Sequence, residues 1–486
     1  MHLKFAFAIL LTISLLHNSL IAGNNFFNSH KDAQNAIYSL QFNKAESLLT
    51  NSKQDFYSNF LLVKTLFAKN IIIGGENNYE KFNDKYDNAF KLIKKNAADS
   101  IKDALLSELL IEKSVIELLN RNFITGAYDF IKSYSFFEDS QNDYPNLKYA
   151  LKLKSLFKII AGVTPEKGQS FLKLIGLKAD VKTGVQIFDY YLNYAKNQTA
   201  LLPEAIVIDA LIKAYLKDDT GVENKINIEE KMPENNLYVF SKALIFFKEN
   251  NYKKSQEYIN ILFAKQTDTI PFLYYLSGVN KTVFDNATAK KYLLKFLQTS
   301  KSKHFIKASY WQLARISALN NDAKSFAKYR QLTINKGSEF TEADKSAMIE
   351  AEENSVLNKN LLKARLLFDA GEFKLALQTL ISTETKESIK TTEEKARFFY
   401  RFARIKDKLN DKNTALKYYL KVCNNFRQIP KYYVPYSAFL AGAIYEENKN
   451  IDKAKQYYNL ALQLNNNNYR NSLQHKIKSR LKNLDN

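Results

Sequence analysis

The sequence predicts an all-α fold: a right-handed α-solenoid of antiparallel helix pairs, closed by a C-terminal capping helix. Small residues recur at helical spacing, and short polar breaks separate the helical segments. The 486 residues contain only 13 Gly and 7 Pro, well below the usual shares of about 7 % and 5 %. A β-rich fold would need more turn residues. Because each solenoid repeat contacts only its neighbours, a chain this long need not divide into globular domains.

The clearest helix pair covers residues 438–465, AFLAGAIYEENKNIDKAKQYYNLALQLN. Gly442 in its first half, and Ala454 and Ala461 in its second, stand among bulky residues spaced for one helix face. The polar stretch 448–450 interrupts the pattern, and so short a turn forces the two helices to lie antiparallel. Their backbones can approach closely only where side chains are small. These three positions are therefore predicted to pack the two helices together.

The same pattern recurs upstream, marked by the small residue that opens the second helix of each pair. The markers are Ala45, Ala127, Ser255, Ala289, Ala376, Ala415 and Ala454. The last three are 39 residues apart, whereas Ser255 and Ala289 are 34 apart. The arrangement resembles the tetratricopeptide repeat (TPR), a helix pair of about 34 residues. The alternative, a helical bundle with chance spacing, does not explain why small, bulky and turn positions recur together.

The first 23 residues are predicted to be a secretory signal peptide. Lys4 precedes an apolar run from Phe5 to Leu16, and Ala22 and Gly23 supply small residues for cleavage. A membrane-spanning helix needs about 20 apolar residues, which is more than this run contains. The alternative is an uncleaved anchor. The boundary has no cysteine, so we expect an exported soluble protein of the periplasm or outer-membrane periphery, and not a lipoprotein.

The mature chain is predicted to contain two regions: divergent helical repeats over 24–235, and TPR repeats over 236–486. The charged, poorly periodic segment 217–235 marks the boundary. An acidic helix within 335–355 is expected on the outside of the molecule. The last helix, 471–484, is expected to cap the stack through an apolar face. That face comprises Leu473, Ile477, Leu481 and Leu484.

The chain is strongly basic, with a formal net charge of +21. Of its 71 basic residues only 10 are arginine and 61 are lysine. Lysine has AT-rich codons, so genome composition explains part of the charge. Arginine suits bidentate phosphate recognition, and its scarcity argues against a nucleic-acid partner. The basic stretches 290–307 and 475–482 are interpreted as solvated helix faces, with salt-sensitive peripheral contact to anionic lipid as an alternative.

Catalytic and cofactor motifs are not found in the sequence. His30, His304 and His475 are scattered and are expected to be surface residues, while Cys423 is expected to be a buried, inert thiol. The segment 162–170, GVTPEKGQS, has the wrong spacing for a phosphate loop and no lysine at the required position. We therefore predict a non-enzymatic protein without cofactor or metal. An enzyme built on a helical superstructure would need a catalytic module that is not recognisable here.

Two segments carry a family resemblance. The C-terminal third, from Ala364 to Leu484, resembles exported TPR proteins of Bacteroidetes-type bacteria. The segment 163–192 resembles a eukaryotic TPR family linked to inclusion-body clearance and mitochondrial outer membranes. Three positions fit its pattern: Pro165, Gly176 and Gly184. Ala179 departs from it, standing where that family tends to have glycine. The resemblance implies a helical-repeat fold and a non-enzymatic role, without naming a substrate.

The candidate partner-binding residues are Tyr432, Tyr433 and Tyr436 in KYYVPY. We expect this stretch in a connection between repeats, where the core makes less demand on aromatic side chains, and exposed tyrosines contribute strongly to recognition. The main hypothesis is an adaptor of the cell envelope that binds a protein or peptide on its concave face. The alternative is a carbohydrate-binding protein for glycan uptake, whose tyrosines stack on sugar rings.

Overall fold

The computed structural model describes residues 30–52, 54–164, 172–173, 175–197, 201–220, 235–353, 358–464 and 470–484. The predicted signal peptide lies outside the described residues. So do Pro165 and most of the predicted boundary segment 217–235.

The regular secondary structure of the described residues is entirely α-helical, which confirms the predicted all-α class of TPR-like helix pairs. The first eight helices are α1 (Lys31–Tyr38), α2 (Phe42–Thr50), α3 (Phe56–Ile72), α4 (Glu76–Asn96), α5 (Asp99–Leu119), α6 (Phe123–Asp143), α7 (Ala150–Val163) and α8 (Val181–Ala195). The next eight are α9 (Leu202–Thr220), α10 (Asn236–Lys248), α11 (Tyr252–Phe263), α12 (Pro271–Lys281), α13 (Asn286–Thr299), α14 (Ile306–Leu319), α15 (Ala323–Asn335) and α16 (Glu342–Glu352). The last eight are α17 (Lys359–Asp369), α18 (Phe373–Ile381), α19 (Thr383–Ser388), α20 (Thr392–Lys408), α21 (Lys412–Asn425), α22 (Tyr433–Glu447), α23 (Ile451–Gln463) and α24 (Arg470–Leu484).

The helices form two compact units. Unit 1 comprises Met1–Gly278, Lys291–His304 and Phe340–Glu342. Unit 2 comprises Val279–Lys290, Phe305–Glu339 and Ala343–Asn486. In unit 2 the pairs α17–α18, α20–α21 and α22–α23 are successive antiparallel hairpins. Residues 235 and 236, where the sequence suggested a change of repeat type, both belong to unit 1.

Seven helix pairs are joined by the same tight turn. In each turn one residue has a left-handed backbone, with φ between 57° and 81°. These residues are Leu40, Arg121, Asn250, Asn321, Gly371, Asn410 and Lys449. The N–H of the following residue bonds to the carbonyl five positions earlier, at 2.8–2.9 Å. This is the pattern of a Schellman cap, which satisfies the carbonyls at the end of the first helix.

The next helix begins at once, because the residue after the left-handed one is its N-cap. Asp322 accepts from Ser325 N–H at 2.9 Å, and Asp411 accepts from Thr414 N–H at 3.2 Å. Such side-chain caps satisfy donors that an isolated helix end leaves unpaired. Polar residues at these turns therefore end one helix and start the next within two residues.

In the best repeats, the two helices of a pair pack closely against each other at small residues. A Cβ atom on Gly442 would lie 2.8 Å from the ring of Tyr458, so a larger residue would force α22 away from α23. Five of the predicted packing residues are fully buried: Ala289, Ala376, Ala415, Ala454 and Ala461. The bulky side chain of one helix thus fills the space that the small residue of the other helix leaves.

The marker predicted at Ala127 is displaced by one residue. Ala127 is only partly buried, whereas its neighbour Gly126 is buried against α5. A Cβ atom on Gly126 would lie 2.8 Å from Leu118 Cγ, and Ser114 Oγ donates to the Gly126 carbonyl at 2.7 Å. Gly184 on α8 repeats this arrangement, with Ser155 Oγ donating to its carbonyl at 2.7 Å. The close contact therefore uses glycine in these divergent repeats.

Five charged side chains are fully buried inside unit 1, and we call them the buried charge cluster. They come from α3, α5, α7 and α9: Lys64, Glu108, Glu112, Lys152 and Glu204. Burying an unpaired ion costs several kcal/mol or more, so such groups persist only when they neutralise one another. The sequence analysis did not anticipate this cluster.

Glu108 is the centre of the buried charge cluster. Lys64 and the hydroxyl of Tyr149 donate to it, and Lys152 Nζ lies 3.1 Å from its Oε2. Lys152 also reaches Glu204 at 3.2 Å, and Lys64 reaches Glu112 at 2.9 Å. Three carboxyl groups therefore face two ammonium groups, which leaves one negative charge in excess.

The acidic helix predicted on the outside is α16, and that prediction is wrong. Asp344 is fully buried and accepts from the N–H groups of Phe305 at 2.7 Å and Ala308 at 3.0 Å. Those donors belong to the start of α14, whose positive end favours a carboxylate. Ala347 and Ala351 are also buried. Asp344 and Glu350 point inward because Asp344 satisfies a helix end and Glu350 pairs with two arginines.

The C-terminal helix α24 packs as predicted for a cap. Leu473 and Ile477 are fully buried in a cluster with Ala454, Tyr458 and Ala461, and Leu481 and Leu484 pack at its edge. Arg480, from its polar side, bonds to Glu446 at 3.1 Å. None of the helices in the described part of the chain is both long and apolar enough to cross a bilayer.

Candidate partner-binding cleft

The stretch KYYVPY does not lie in a connection, as the sequence suggested, because Tyr433 begins α22. Tyr433 is only 2 % exposed and belongs to the hydrophobic core, so it cannot supply a contact surface. Tyr432 and Tyr436 are partly buried and pack against the same core. Their role in partner binding therefore stays a prediction.

These tyrosines form part of an aromatic cluster. The ring of Tyr432 makes edge-to-face contacts with Tyr400, Tyr433 and Tyr436, with centroid distances of 6.0, 5.6 and 6.2 Å. Such contacts hold the rings rigidly. The cluster therefore fixes the start of α22 against α20.

A charged cleft opens beside this aromatic cluster, and we call it the arginine cleft. Its cavity volume is about 50 Å³, and Tyr432 and Tyr433 form part of its wall. Its charged lining consists of Glu350, Glu353, Arg365, Arg397, Arg401 and Lys431. These residues come from the end of α16, from α17 and α20, and from the start of α22. Because α17, α20 and α22 are first helices of their hairpins, the cleft lies on the surface that successive first helices form.

Arginine is concentrated here in a chain that otherwise uses lysine. Of the 10 arginines in 486 residues, three line the cleft. Two more lie beside it: Arg315 contacts Glu350, and Arg404 donates to Tyr400 OH at 3.0 Å. Arginine and lysine are not interchangeable, because only the guanidinium offers a rigid planar fork of donors. The concentration of arginine at this place indicates a need for directed hydrogen bonds.

Most charges in the cleft form ion pairs. Glu350 lies 2.8 Å from both Arg315 and Arg365, and it also accepts from the indole N–H of Trp311 at 2.9 Å. Burial alone would raise the pKa of Glu350, but the two guanidinium groups outweigh it and hold that pKa well below its usual value. Glu350 is therefore ionised at any physiological pH.

The rim of the cleft is paired in the same way. Arg365 also reaches Asp369 at 3.6 Å, Arg397 pairs with Glu393 one turn earlier, and Lys431 Nζ lies 3.0 Å from Glu353. Within the part of the chain that the structure describes, these pairs neutralise every lining cation except one.

Arg401 is that exception. Its Nη1 atom is buried and has no hydrogen-bond partner among the described residues. Burial, together with repulsion from Arg397 and Arg365, lowers the pKa of Arg401 to about 9. The guanidinium is still charged at neutral pH, so a positive group stands in the cleft with unused donor capacity. Unpaired buried donors are rare and costly, and this one marks the cleft as the candidate site.

Within the described ranges, no three His, Cys, Asp or Glu side chains converge as a metal site. Cys423 is buried, as predicted, and burial raises its pKa to about 12, which keeps the thiol unreactive.

The predicted surface positions of two histidines are wrong. His30 is buried, with Nε2 3.8 Å from Asp55. His304 stacks on Phe340 at 4.9 Å, and burial with nearby Arg121 lowers its pKa to about 4. Both are structural residues of unit 1. The side chain of His475 lies outside the described residues.

Sequence reasoning missed the arginine cleft although a signal was present. Arg397, Arg401 and Arg404 follow one another at intervals of four and three residues, which places them on one helix face. Three of the chain's 10 arginines lie within these eight residues, although most basic residues of the chain are lysine. The other charged residues of the cleft, among them Glu350 and Arg365, come from α16 and α17, and only the folded chain brings them to this helix face.

Comparison with known proteins supports the repeat architecture. Residues 396–426 and 436–468 match the tetratricopeptide repeat family model, and they correspond to α20–α21 and α22–α23. Tetratricopeptide repeats act in general as scaffolds for protein interaction. No curated protein sequence matches the chain.

Two solved structures are similar to this chain over most of its length. The human IFIT1 dimer with PPP-AAAA is 13 % identical, with a TM-score of 0.31, covering 93 % of this chain and 98 % of that one. The APC/C hetero-tetramer Cut9–Hcn1 is 11 % identical, with a TM-score of 0.22, covering 93 % of this chain and 96 % of that one. At these scores the likeness carries no role from either protein to this chain.

Proposed function

We propose that the protein is a non-enzymatic adaptor of the bacterial cell envelope. It binds a protein or peptide on the surface formed by the first helices of unit 2, with the arginine cleft as the centre of contact. The observation that carries the proposal is Arg401, whose buried Nη1 atom has no hydrogen-bond partner among the described residues and lies beside rigid aromatic rings. Interface hot spots have this composition, since arginine and tyrosine are enriched where binding energy concentrates.

The proposed location follows from the sequence. The first 23 residues have the composition of a signal peptide, with cleavage near Ala22 or Gly23. N-terminal sequencing of the protein from a periplasmic fraction is expected to begin just after one of these residues. A mature protein that keeps Met1 and stays in the cytosol would contradict the envelope role.

Site-specific photo-crosslinking in living cells tests the contact surface. A benzophenone amino acid at position 432 places the reactive group at the arginine cleft. The matched control position is Lys417, which is exposed on the second helix α21. We expect one reproducible protein adduct from position 432 and none from position 417, and the purified partner should then bind the unmodified chain. Equal adducts from both positions, or none from either, would count against the proposal.

Glycan binding is the competing function. It needs flat aromatic faces open to a sugar ring, and the burial of Tyr433 removes one of the two neighbouring platforms. A glycan that binds the purified chain and is lost on Tyr432→Ala would favour this alternative.

A further inference from the structure

We propose that the start of α6 in unit 1 docks onto an anionic lipid surface, with Phe123, Ile124 and Tyr128 entering the head-group region. These three residues are called the apolar tip. The inference rests on the envelope location in the proposed function, and it assigns a second surface, in the other unit, to a partner that is not a protein. Three observations support it: the exposure of the tip, the cations beside it and the size of the patch.

The apolar tip is unusually exposed for side chains of its kind. Ile124 is 88 % exposed, Tyr128 61 % and Phe123 56 %. Among the exposed large hydrophobic side chains of the described residues only Tyr190, at 70 %, is comparable, and the others are 36–45 % exposed. Ile124 and Tyr128 are four positions apart, so both project from one side of α6. An apolar patch of this kind marks a surface that a partner covers.

The backbone beneath the apolar tip is firmly held. It follows the left-handed turn at Arg121. The side chain of Asn122 donates to Glu117 Oε2 at 2.6 Å and to the hydroxyl of Tyr79 at 3.3 Å. Gly126, one turn into the helix, is buried against α5. The inner side of the helix start is therefore fixed, while the side chains of the tip project outward.

Two further segments meet this turn at the same end of unit 1. Tyr79 lies in the first turn of α4, and the preceding Gly75 packs against Lys301, since a Cβ atom on Gly75 would lie 3.0 Å from Lys301 Cβ. Burial and the nearby Arg121 lower the pKa of His304 to about 4, which places the same segment beside the turn. The start of α4, the turn before α6 and the segment that carries Lys301 thus lie together.

This end of unit 1 carries an excess of positive charge. Arg121, Lys301 and Lys303 are exposed. Within residues 74–76, 120–124 and 301–304 the acidic residue is Glu76, and Glu117, which holds the turn, is buried. Lipid phosphates complement such a group of cations, and the net charge of +21 adds a long-range attraction. An anionic membrane surface therefore fits the charge as well as the apolar side chains.

The size of the patch favours lipid over a protein. Three side chains of this kind bury roughly 500 Å² in total, whereas a stable protein interface covers about 800 Å² on each partner. Peripheral membrane binding needs less, because a few inserted apolar side chains act together with neighbouring cations. The ring of Tyr128 also suits the boundary, since its hydroxyl can stay among the wet head groups.

Co-sedimentation with lipid vesicles tests the docking. It uses the mature chain, because the apolar run of the predicted signal peptide would itself enter a bilayer. The vesicles contain equal parts of phosphatidylglycerol and phosphatidylcholine, or phosphatidylcholine alone. The test variant combines Ile124→Gln with Tyr128→Gln. The matched control combines Leu375→Gln with Ile381→Gln, two exposed apolar residues of α18 in unit 2.

We expect the wild-type chain and the α18 control to bind the anionic vesicles equally and the neutral vesicles weakly. The double substitution of Ile124 and Tyr128 should weaken binding to anionic vesicles at least about tenfold, because it removes the apolar area that leaves water. Both replaced side chains are exposed, so the thermal midpoint of the variant should match that of the wild type.

A second pair of variants tests the cations. Lys301→Gln with Lys303→Gln should weaken binding and reduce its dependence on salt, because exposed charges are screened by ions. Lys374→Gln with Lys417→Gln removes the same charge from exposed positions of unit 2 and should leave binding nearly unchanged. Equal losses from both pairs would show attraction by the overall charge and overturn docking at this end.

An environment-sensitive dye measures insertion directly. Thr125→Cys places the dye beside Ile124 at an exposed position, whereas the native Cys423 is buried and stays unlabelled. Anionic vesicles should shift the emission of this dye to shorter wavelength. The same dye on Asn413→Cys, exposed on α21, should keep its emission in water.

Vesicle binding that is absent in the wild type, or undiminished without Ile124 and Tyr128, overturns the inference. So does a dye at position 125 that keeps its emission in water. Light scattering without lipid should give one mass for the wild type and the test variant, whereas a dimer that the variant dissociates would assign the tip to a second copy of the chain instead. The two proposals fail separately, because crosslinking at position 432 reports on unit 2 and vesicle binding reports on unit 1.

Discussion

The substitution Glu112→Gln removes the carboxyl group whose ionisation would give the buried charge cluster of unit 1 an excess negative charge. Glu112 bonds only to Lys64, and its Oε2 atom has no partner among the described residues. Burial raises the pKa of Glu112 to about 8, with repulsion from Glu108 adding to the effect and Lys64 opposing it. At neutral pH the folded protein therefore holds a proton here that the unfolded chain has released.

The sign of the pH dependence follows directly. The folded pKa of about 8 lies above the ordinary value of 4.5, so the folded state binds more protons than the unfolded state between these values. Stability is then fully present below about pH 4.5 and is lost as the pH rises through 8. The slope is about 1.4 kcal/mol per pH unit, which amounts to roughly 4 kcal/mol between pH 5 and pH 8. Glutamine is neutral at every pH, so Glu112→Gln should reduce this slope and be the more stable form at pH 8. The part of the slope that remains comes from Glu204, whose pKa burial also raises.

Urea unfolding from pH 5 to pH 8.5 measures the effect. Far-UV circular dichroism follows all helices, whereas the fluorescence of Trp311, the chain's single tryptophan, reports on unit 2. Comparing the two signals shows whether the change in stability occurs in unit 1 or in unit 2. Glu80→Gln on the exposed face of α4 is the matched control and should keep the wild-type slope. The reasoning is refuted if wild-type stability is flat over this range, or if Glu112→Gln keeps the same slope.

Three further predictions concern packing, capping and a histidine. Gly442→Ala places a methyl group 2.8 Å from Tyr458 and should lower the free energy of unfolding by about 1–3 kcal/mol. The control Lys417→Ala should change the free energy of unfolding by less than about 0.5 kcal/mol. Urea titrations measure both. Asp344→Ala removes two caps on α14 and should cost about 1–2 kcal/mol, read from Trp311 fluorescence; an unchanged midpoint would disprove the cap. The folded pKa of His304, about 4, lies below the ordinary 6.5, so its contribution is full above pH 6.5 and lost as the pH falls through 4. Imidazole NMR should show no titration of His304 between pH 7 and pH 5, and a midpoint near 6.5 would contradict its burial.

The local sequence pattern was sufficient to predict where the two helices contact each other in the best repeats. Gly442 and Ala454 could be placed from spacing alone, because close helix contact demands small residues whatever the surroundings. In the divergent repeats the same reasoning selected Ala127 where Gly126 makes the contact. Successive residues on a helix point about 100° apart, so an error of one position in a weak repeat moves the inferred contact off the packed face.

The sequence could not predict which charged residues are buried. Glu108 and Glu112, four residues apart on α5, have the pattern of a solvated helix face. They are fully buried because Lys64 and Lys152, from two other helices, neutralise them. The same holds for Glu350, which was expected outside and is held by two arginines from separate helices. The pattern within one helix carries no information about a charged partner on another helix, which here lies 15 to 48 residues away.

The sequence by itself determined that this chain is helical, that its helices pair as antiparallel hairpins and where the clearest hairpins meet. These properties depend on contacts between residues close in the chain, which local periodicity records. Only the tertiary structure decided which charges are buried in pairs, that Tyr433 belongs to the core, and that Arg401 Nη1 finds no acceptor among the described residues. The reason is that the free energy of a buried charge depends on the sum of all neighbouring groups, and that sum exists only once distant helices have come together.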